Sequence, residues 1–298
     1  MRVIISGASG LIGTALSNEL RAQGHDVVAL VRRAASGPGE MRWDPARGDL
    51  SAEALAGADA VVNLAGAGIG DRRWTDEYKR ELVDSRVKGT TLLAEKIAEC
   101  SQRPGVLLSG SAIGFYGATD DTELTESSPA GTDFLADLCV QWEASTAAAE
   151  AAGTRVAHLR TGIVLAKEGG ALKKMLPLFK LGAGGRFGKG SQWQSWISLP
   201  DEVGAIVHLL TAPVSGPVNL TGPTPVTNSQ FAKTLGTVLH RPSVVPVPSF
   251  GPKLLLGGEL ADALLFTGQR VLPAALQSSG YSFAHPTLEQ ALRAVLGR

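Results

Sequence analysis

The sequence predicts an α/β fold built on a doubly wound parallel sheet. Apolar runs of strand length alternate with longer amphipathic runs from Val3 to Arg160, and such alternation implies parallel strands joined by right-handed helical crossovers. The chain also begins with MRVIISGASGLIG, in which an apolar run rich in β-branched residues is followed by glycines at three-residue spacing. A strand, a glycine turn and a helix in this order are typical of a dinucleotide-binding loop.

Each element of this alternation has a local signal. Short apolar segments predict strands at 3–6, 26–31, 60–64, 106–109, 155–160 and 218–220. Amphipathic segments predict helices at 11–20, 76–100, 134–152, 201–211, 228–239 and 287–296. Gly24 and Gly153 end the first and third of these helices, Pro104 follows the second, and Asn228 is expected to cap the fifth.

The pattern loosens beyond Gly169, which predicts a change in organisation. A glycine-rich segment covers 182–190, and the segment 241–252 holds four prolines. We therefore expect a nucleotide-binding domain over 1–240, with a substrate-lobe insertion at about 165–200. The proline-rich segment is expected to lead into a small C-terminal domain over 241–298.

Composition excludes several classes of protein. The chain has 298 residues with 28 basic and 28 acidic side chains, so bulk charge favours neither nucleic acid nor an anionic membrane as a partner. It contains no apolar run of membrane-spanning length and no visible cluster of metal ligands. Its first strand begins at once, which leaves no room for a signal peptide, and Cys100 and Cys139 are its only cysteines. We expect a reduced, cytoplasmic protein with a small-molecule substrate; the oligomeric state stays open.

The three opening glycines have different expected roles. Gly7 permits the tight turn, Gly10 lets the backbone approach a pyrophosphate, and Gly13 lets the helix pack against the strand. The helix N-terminus would offer its N–H groups to the phosphates, so Ser9, Leu11 and Ile12 join the predicted binding loop. The alternative is a glycine-rich turn without a ligand.

The residues after the second strand favour NADP(H) over NAD(H). An NAD site usually carries an acid about 20 residues beyond the glycines, but here the strand ends in Arg32 and Arg33, and the next acid is Glu40. A carboxylate would repel the 2′-phosphate of NADP(H), whereas a guanidinium binds it. The alternative is that the two arginines only make the strand end soluble.

Several motifs carry a family resemblance. GASGLIG, NLAGA at 63–67, RVKGT at 86–90 and SGSAIGFYG at 109–117 resemble the extended short-chain dehydrogenase/reductases, the group of nucleotide-sugar epimerases. WEAS at 142–145, RTGIVL at 160–165, GGAL at 169–172 and GAGGRFGKGSQWQSWI at 182–197 resemble an NAD(P)-dependent epimerase-like subfamily with a small C-terminal domain of unknown function. The resemblance implies a Rossmann-type sheet, a small α/β substrate lobe and a short helical C-terminal region.

The resemblance also implies cofactor positions. Leu64, Ala65 and Gly66 follow the third strand, where small residues would let the ribose and pyrophosphate pass. Further cofactor-facing positions are Glu81, Arg86, Ser109 and Val164. The alternatives are a solvated helix face for Glu81 and plain core packing for Val164.

The catalytic positions depart from the family. Its members use Ser, Tyr and Lys, with Tyr moving the proton and Lys lowering the tyrosine pKa. Ser111 matches the serine, but no Tyr-x-x-x-Lys exists, and Cys139 and Glu143 occupy that spacing. Tyr116 is a substitute proton donor. The alternatives are a packing role for Tyr116 and a small buried apolar role for Cys139.

A second departure suggests an exchanged charge pair. Arg86 stands where many members have Asn, and Glu143 stands where they have Lys, so we hypothesise that the two side chains pair directly or through the ribose hydroxyls of the cofactor. The resemblance and the missing Tyr/Lys pair together leave two expected functions. The chain is an NADP(H)-dependent oxidoreductase or epimerase on an unknown small polar or sugar-like substrate, or it is a non-catalytic NADP(H)-binding regulatory or scaffold protein.

The expected substrate side lies in the glycine–tryptophan segment. Gln192, Trp193 and Trp196 offer an amide and aromatic faces, which suit a small polar ring. The alternative is that the tryptophans anchor the lobe to the sheet. Arg160, at a strand end, either reaches the site or closes a salt bridge.

Overall fold

The computed structural model describes residues 1–298, and its elements follow the predicted alternation. The strands are β1 (Arg2–Ser6), β2 (Asp26–Val31), β3 (Glu40–Arg42), β4 (Ala60–Asn63), β5 (Val106–Ala112), β6 (Glu123–Leu124), β7 (Arg155–Thr161), β8 (Ile163–Leu165), β9 (Trp193–Gln194), β10 (Trp196–Ser198), β11 (Gly216–Leu220), β12 (Val226–Thr227) and β13 (Arg270–Val271). The α-helices are α1 (Leu11–Ala22), α2 (Ala52–Leu55), α3 (Asp76–Glu99), α4 (Phe134–Ala144), α5 (Ala147–Ala151), α6 (Gly170–Lys180), α7 (Leu199–Thr211), α8 (Asn228–Leu239), α9 (Phe250–Leu256), α10 (Gly258–Ala261), α11 (Ala274–Ser278) and α12 (Leu288–Leu296).

Seven strands form one parallel sheet in the order β11-β7-β5-β4-β1-β2-β3. The chain runs outward from β1 to β3, returns to β4 beside β1, and then continues in the opposite direction. The carboxyl ends of β1 and β4 therefore flank a topological switch point, which is where open α/β sheets form ligand crevices. The predicted α/β fold of Rossmann type is confirmed.

The sheet is buried on both faces because its strands are apolar on both sides. In β1, Val3 and Ile5 belong to a core layer that includes Leu16 of α1 and Ile206 of α7. Ile4 points to the opposite face, into a layer with residues of α3 such as Leu93 and Ile97. This two-sided burial explains the continuous apolar run of the first strand.

A third core holds the substrate lobe and the C-terminal region together. It packs Trp196 of β10 and Phe231 of α8 with Leu172 of α6 and Leu292 of α12. The C-terminal part also returns to the main domain, because β13 pairs with β6. The predicted small lobe and helical C-terminal region are thus present, while the boundary at residue 240 stays a prediction.

The predicted helix at 134–152 was wrong in one respect, because the structure divides it into α4 and α5. Ser145 donates a side-chain hydrogen bond to the carbonyl of Gln141, and Thr146 donates one to the carbonyl of Glu143. Hydroxyls that bond to backbone in this way compete with helical hydrogen bonding.

No helix combines the length and apolarity that a bilayer crossing requires.

Candidate functional site

The glycine turn between β1 and α1 has the packing that the sequence predicts. Gly7 has φ of +72°, and a Cβ there would lie 2.7 Å from the Leu64 carbonyl group. A Cβ at Gly13 would overlap the carbonyl oxygen of Gly7, so both glycines are required by the backbone itself. Gly10 is exposed and no side chain caps the N-terminus of α1. Its predicted role toward a pyrophosphate remains a prediction.

The turn opens into a cleft of about 230 Å³ at the switch point. Eight predicted residues line it: Gly7, Gly10, Leu11, Ile12, Gly13, Leu64, Ser111 and Val164. Gly110, Trp142 and Thr161 complete the lining and were missed. Gly110 and Thr161 lie at the carboxyl ends of β5 and β7, so the rule that ligands bind beyond strand ends could have found them.

The two arginines after β2 differ in availability. Arg33 grips Glu40 through both guanidinium nitrogens, with Nη1 2.7 Å from Oε2. This hydrogen bonding lowers the pKa of Glu40 to about 2. Arg32 is exposed and has no side-chain partner. Of these two arginines, only Arg32 therefore has a free guanidinium at the carboxyl end of β2, a distinction that sequence alone could not make.

The other predicted cofactor positions are spread around the cleft. Ser9 and Gly66 are exposed and Ala65 is half-buried. Ser109 is fully buried within β5, and its Oγ has no hydrogen-bond partner. Glu81 lies on the surface of α3, where Arg72 Nη1 is 3.3 Å from its Oε2. The solvated alternative for Glu81 is the one that the structure supports.

The hypothesis that Arg86 pairs with Glu143 was wrong. Arg86 donates hydrogen bonds to the carbonyls of Leu82 and Ala67 at 3.0 and 2.9 Å. Its guanidinium lies 5.1 Å from the ring centroid of Trp142, and burial lowers its pKa. The side chain follows α3 towards the loop after β4, whereas Glu143 faces β7. Arg86 consequently has no carboxylate partner.

Glu143 instead pairs with Arg160, which resolves the alternatives for that arginine. Arg160 Nε is 2.8 Å from Oε1 of Glu143, and Arg160 Nη2 is 2.9 Å from Oε2. Ser111 donates its hydroxyl hydrogen to the same Oε1 at 2.7 Å. The side chains of Arg160 and Glu143 are 4% and 12% exposed, so this is a buried, bidentate ion pair directly behind the cleft.

Tyr116 and Cys139 are engaged in the interior and are not free to donate a proton in the cleft. Tyr116 is 3% exposed; its hydroxyl donates to Asn219 at 2.7 Å and accepts from Arg160 Nη1 at 3.0 Å. Cys139 is 2% exposed, and its thiol is 3.7 Å from the carbonyl oxygen of Ala112. Burial also raises the pKa of Cys139 to about 12, so the thiol holds its proton at neutral pH. These contacts favour the packing roles that the sequence left open, while the catalytic roles of both residues stay predictions.

Replacing Tyr116 with phenylalanine should lower the free energy of unfolding by about 1–3 kcal/mol, because Asn219 and Arg160 each lose a buried partner. Urea denaturation measures this loss. The affinity of the folded variant for NADPH should equal that of the wild type. A weakened affinity with unchanged stability would contradict the packing role.

The predicted substrate residues also have structural partners. Gln192 donates to the carbonyl of Leu265 at 2.6 Å, and Trp193 donates to Asp121 at 2.7 Å. Arg270 lies over the Trp193 ring at 4.5 Å. Trp196 is fully buried and donates to the carbonyl of Thr224. None of the three lines the cleft, and for the tryptophans the anchoring alternative is the one that the structure supports.

A second buried glutamate, which sequence reasoning missed, lies behind the cleft. Glu202 of α7 is fully buried, and Thr161 donates to its Oε1 at 2.9 Å. Its Oε2 has no hydrogen-bond partner. Desolvation raises the pKa of Glu202 to about 8. The charged pattern at the start of α7 gave no sign that this carboxyl faces inward.

Comparison with known proteins gives matches over nearly the whole chain. Residues 3–221 match the model described as the NAD dependent epimerase/dehydratase family, and residues 247–295 match a domain of unknown function, DUF1731. Epimerase family protein Mb2239 of Mycobacterium bovis is 46% identical over 97% of this chain and 96% of its own length. Epimerase family protein SDR39U1 of Homo sapiens is 38% identical over 99% of this chain and all of its own.

Solved structures agree with these matches. A crystal structure of human SDR39U1 with NADPH superimposes with a TM-score of 0.91 at 36% identity, and the match covers 100% of both chains. MoeE5 in complex with UDP-glucose and NAD has a TM-score of 0.78 over 100% of this chain and 98% of its own. Its 19% identity supports a shared fold alone.

Proposed function

Because the chain belongs to the NAD dependent epimerase/dehydratase family, we propose that it is an NADP(H)-dependent oxidoreductase or epimerase. Its substrate would be a small polar or sugar-like molecule. We also propose that the protein is cytoplasmic and reduced, which its two free cysteines suit. The observation that carries the proposal is the cleft at the switch point, where an uncapped helix N-terminus and a glycine turn meet Ser111.

The residues around the cleft fit NADP(H). The glycine turn leaves the backbone of Gly10 open to a pyrophosphate, and no acidic residue occupies the first turn of α1, so nothing there repels a phosphate. Arg32 has a free guanidinium for the 2′-phosphate. The human relative was solved with NADPH, which supports the same cofactor here. When bound, the nicotinamide supplies or accepts a hydride.

A second candidate function is NADP(H) binding without catalysis. The observation that favours it is that Tyr116 and Cys139, the two substitute proton donors, are both buried and bonded within the protein. Turnover separates the two candidates. An oxidoreductase would change cofactor absorbance with some member of a panel of small alcohols and sugars, an epimerase would convert a sugar into its epimer without that change, and Ser111→Ala would slow either reaction.

Replacing Arg32 with alanine should weaken NADPH binding about tenfold to hundredfold, because a charge-assisted hydrogen bond to the 2′-phosphate is lost. NADH binding, which lacks this phosphate, should not change. Isothermal titration calorimetry with both cofactors measures the two affinities.

Arg33→Ala is the matched control, since the Arg33 guanidinium is already occupied by Glu40. It should weaken NADPH binding much less than Arg32→Ala. Equal affinity of the wild type for NADPH and NADH would overturn the assignment of the cofactor.

A further inference from the structure

We propose that Ser111 and Glu143 form a hydrogen-bond-accepting pair that takes the substrate as an alcohol and withdraws its hydroxyl proton. This inference rests on the function proposed above and deepens it. It gives the hydroxyl proton of an alcohol substrate a destination that replaces the missing tyrosine.

The direction of the Ser111 hydrogen bond is fixed by its partner. Glu143 is held by two guanidinium donors of Arg160 at 2.8 and 2.9 Å, so the side chain is a carboxylate and can only accept. The 2.7 Å contact between Ser111 Oγ and Oε1 therefore uses the single hydrogen of Ser111. The lone pairs of Ser111 Oγ therefore face the cleft.

The other polar side chains of the cleft behave in the same way. Thr161 bonds to Glu202 at 2.9 Å and to the carbonyl of Leu159 at 3.4 Å, so its hydrogen also points into the protein. The indole N–H of Trp142 donates to Thr90 at 3.0 Å. The remaining lining side chains are glycine or aliphatic. The side chains that line the cleft thus offer hydrogen-bond acceptors to a substrate but no hydrogen-bond donor.

A ketone and an alcohol would meet this lining differently. A carbonyl oxygen would face the lone pairs of Ser111 with no donor to stabilise it, and leaving such a group unpaired is costly. A hydroxyl would donate to Ser111 Oγ and complete a chain of hydrogen bonds that ends at Glu143. With Glu143 ionised, the lining therefore favours the alcohol over the ketone.

The proton and electron balance follows from this chain. The alcohol O–H bond breaks as its proton passes to Ser111 Oγ, while the Ser111 hydrogen passes to Oε1 of Glu143. With NADP⁺ bound as the oxidant of the proposed function, the C–H bonding pair of the alcohol would be transferred to it as hydride, which would leave a ketone. Arg160 holds the carboxylate in place and is a positioning residue.

The test is ligand-observed NMR titration of cyclohexanol and cyclohexanone into protein saturated with NADPH. The wild type should bind cyclohexanol about tenfold more tightly than cyclohexanone. Ser111→Ala should lose this preference while keeping the ion pair behind it intact. Glu143→Gln should reduce it, because a neutral amide holds the hydroxyl hydrogen less strongly than a carboxylate does.

Glu150→Gln is the matched control, because it makes the same change on α5 at a side chain that is 49% exposed. It should keep the wild-type preference. The proposal is overturned if cyclohexanone binds as tightly as cyclohexanol, or if neither binds. Failure of NADPH itself to bind would instead overturn the proposed function, so the two failures are distinct.

Discussion

Glu202→Gln is expected to abolish most of the fall in the free energy of unfolding that the wild type undergoes between about pH 4.5 and about pH 8. The pKa of Glu202 rises from 4.5 in the unfolded chain to about 8 in the fold because the carboxyl is fully buried. Between these values the folded protein holds a proton that the unfolded chain has lost. The free energy of unfolding therefore falls across this window, by an amount on the order of 5 kcal/mol.

The measurement is urea denaturation of both proteins at pH 5 and pH 9. The variant should resemble the wild type at pH 5, where Glu202 is neutral in the fold, and should be the more stable of the two at pH 9. Buried His158, whose pKa is lowered by desolvation, contributes equally to both proteins and cancels. Glu150→Gln again serves as the exposed control, and parallel pH curves for wild type and Glu202→Gln would contradict the assignment.

Arg160→Met is expected to lower the free energy of unfolding by about 3–5 kcal/mol, because it leaves Glu143 buried without its cation. The variant also removes the Nη1 donor whose hydrogen bond the Tyr116 hydroxyl accepts. It also removes the guanidinium that lies 3.4 Å from the Phe115 ring centroid. Replacing both partners, as in Arg160→Met with Glu143→Leu, should recover part of the loss, since no buried charge is then unpaired. Urea denaturation measures all three proteins.

The control is Arg293→Met, which breaks the exposed pair of Arg293 with Glu289 on α12. A surface pair of this kind contributes less than about 1 kcal/mol, so the loss should be small. A cost for Arg160→Met as small as that of the control would contradict the buried ion pair. A double variant no more stable than the single one would show that packing, and not charge, dominates the cost.

The two buried glutamates give the cleft its chemical polarity. Glu143 and Glu202 belong to different helices, α4 and α7, and each accepts from a hydroxyl that lines the cleft, Ser111 or Thr161. A single such contact would be a local detail. Two of them, on adjacent sides of one cleft, turn the hydroxyl hydrogens inward and leave acceptors facing a substrate.

Much of the cleft could be predicted because its chemistry is local in sequence. Gly13 must be glycine because a Cβ there would overlap the Gly7 carbonyl oxygen, and Gly7 has a positive φ that favours glycine. The apolar residues Val3, Ile4 and Ile5 indicate that β1 is buried on both faces. The helix at 134–152 was less secure, because Ser145 and Thr146 bond back to carbonyls only one turn away and break it. Propensity alone does not register that competition.

The partners of charged side chains could not be predicted. Arg86 and Glu143 were expected to meet from their family positions, but Arg160 reaches Glu143 from β7, which lies beside β5 in the sheet. Arg32 and Arg33 are neighbours in sequence, yet only Arg33 finds Glu40. Such pairings depend on strand order and on which way each side chain leaves its backbone, and these are long-range properties.

The sequence by itself determined the α/β fold, the glycine turn and the arginines that favour NADP(H), because short segments of sequence contain the patterns that predict strands, helices and turns. The tertiary structure alone decided which arginine is free, which carboxylates are buried, and where the hydroxyl hydrogens of the cleft point. These depend on burial and on contacts between residues far apart in the chain, since a charge leaves water only where the whole fold closes around it.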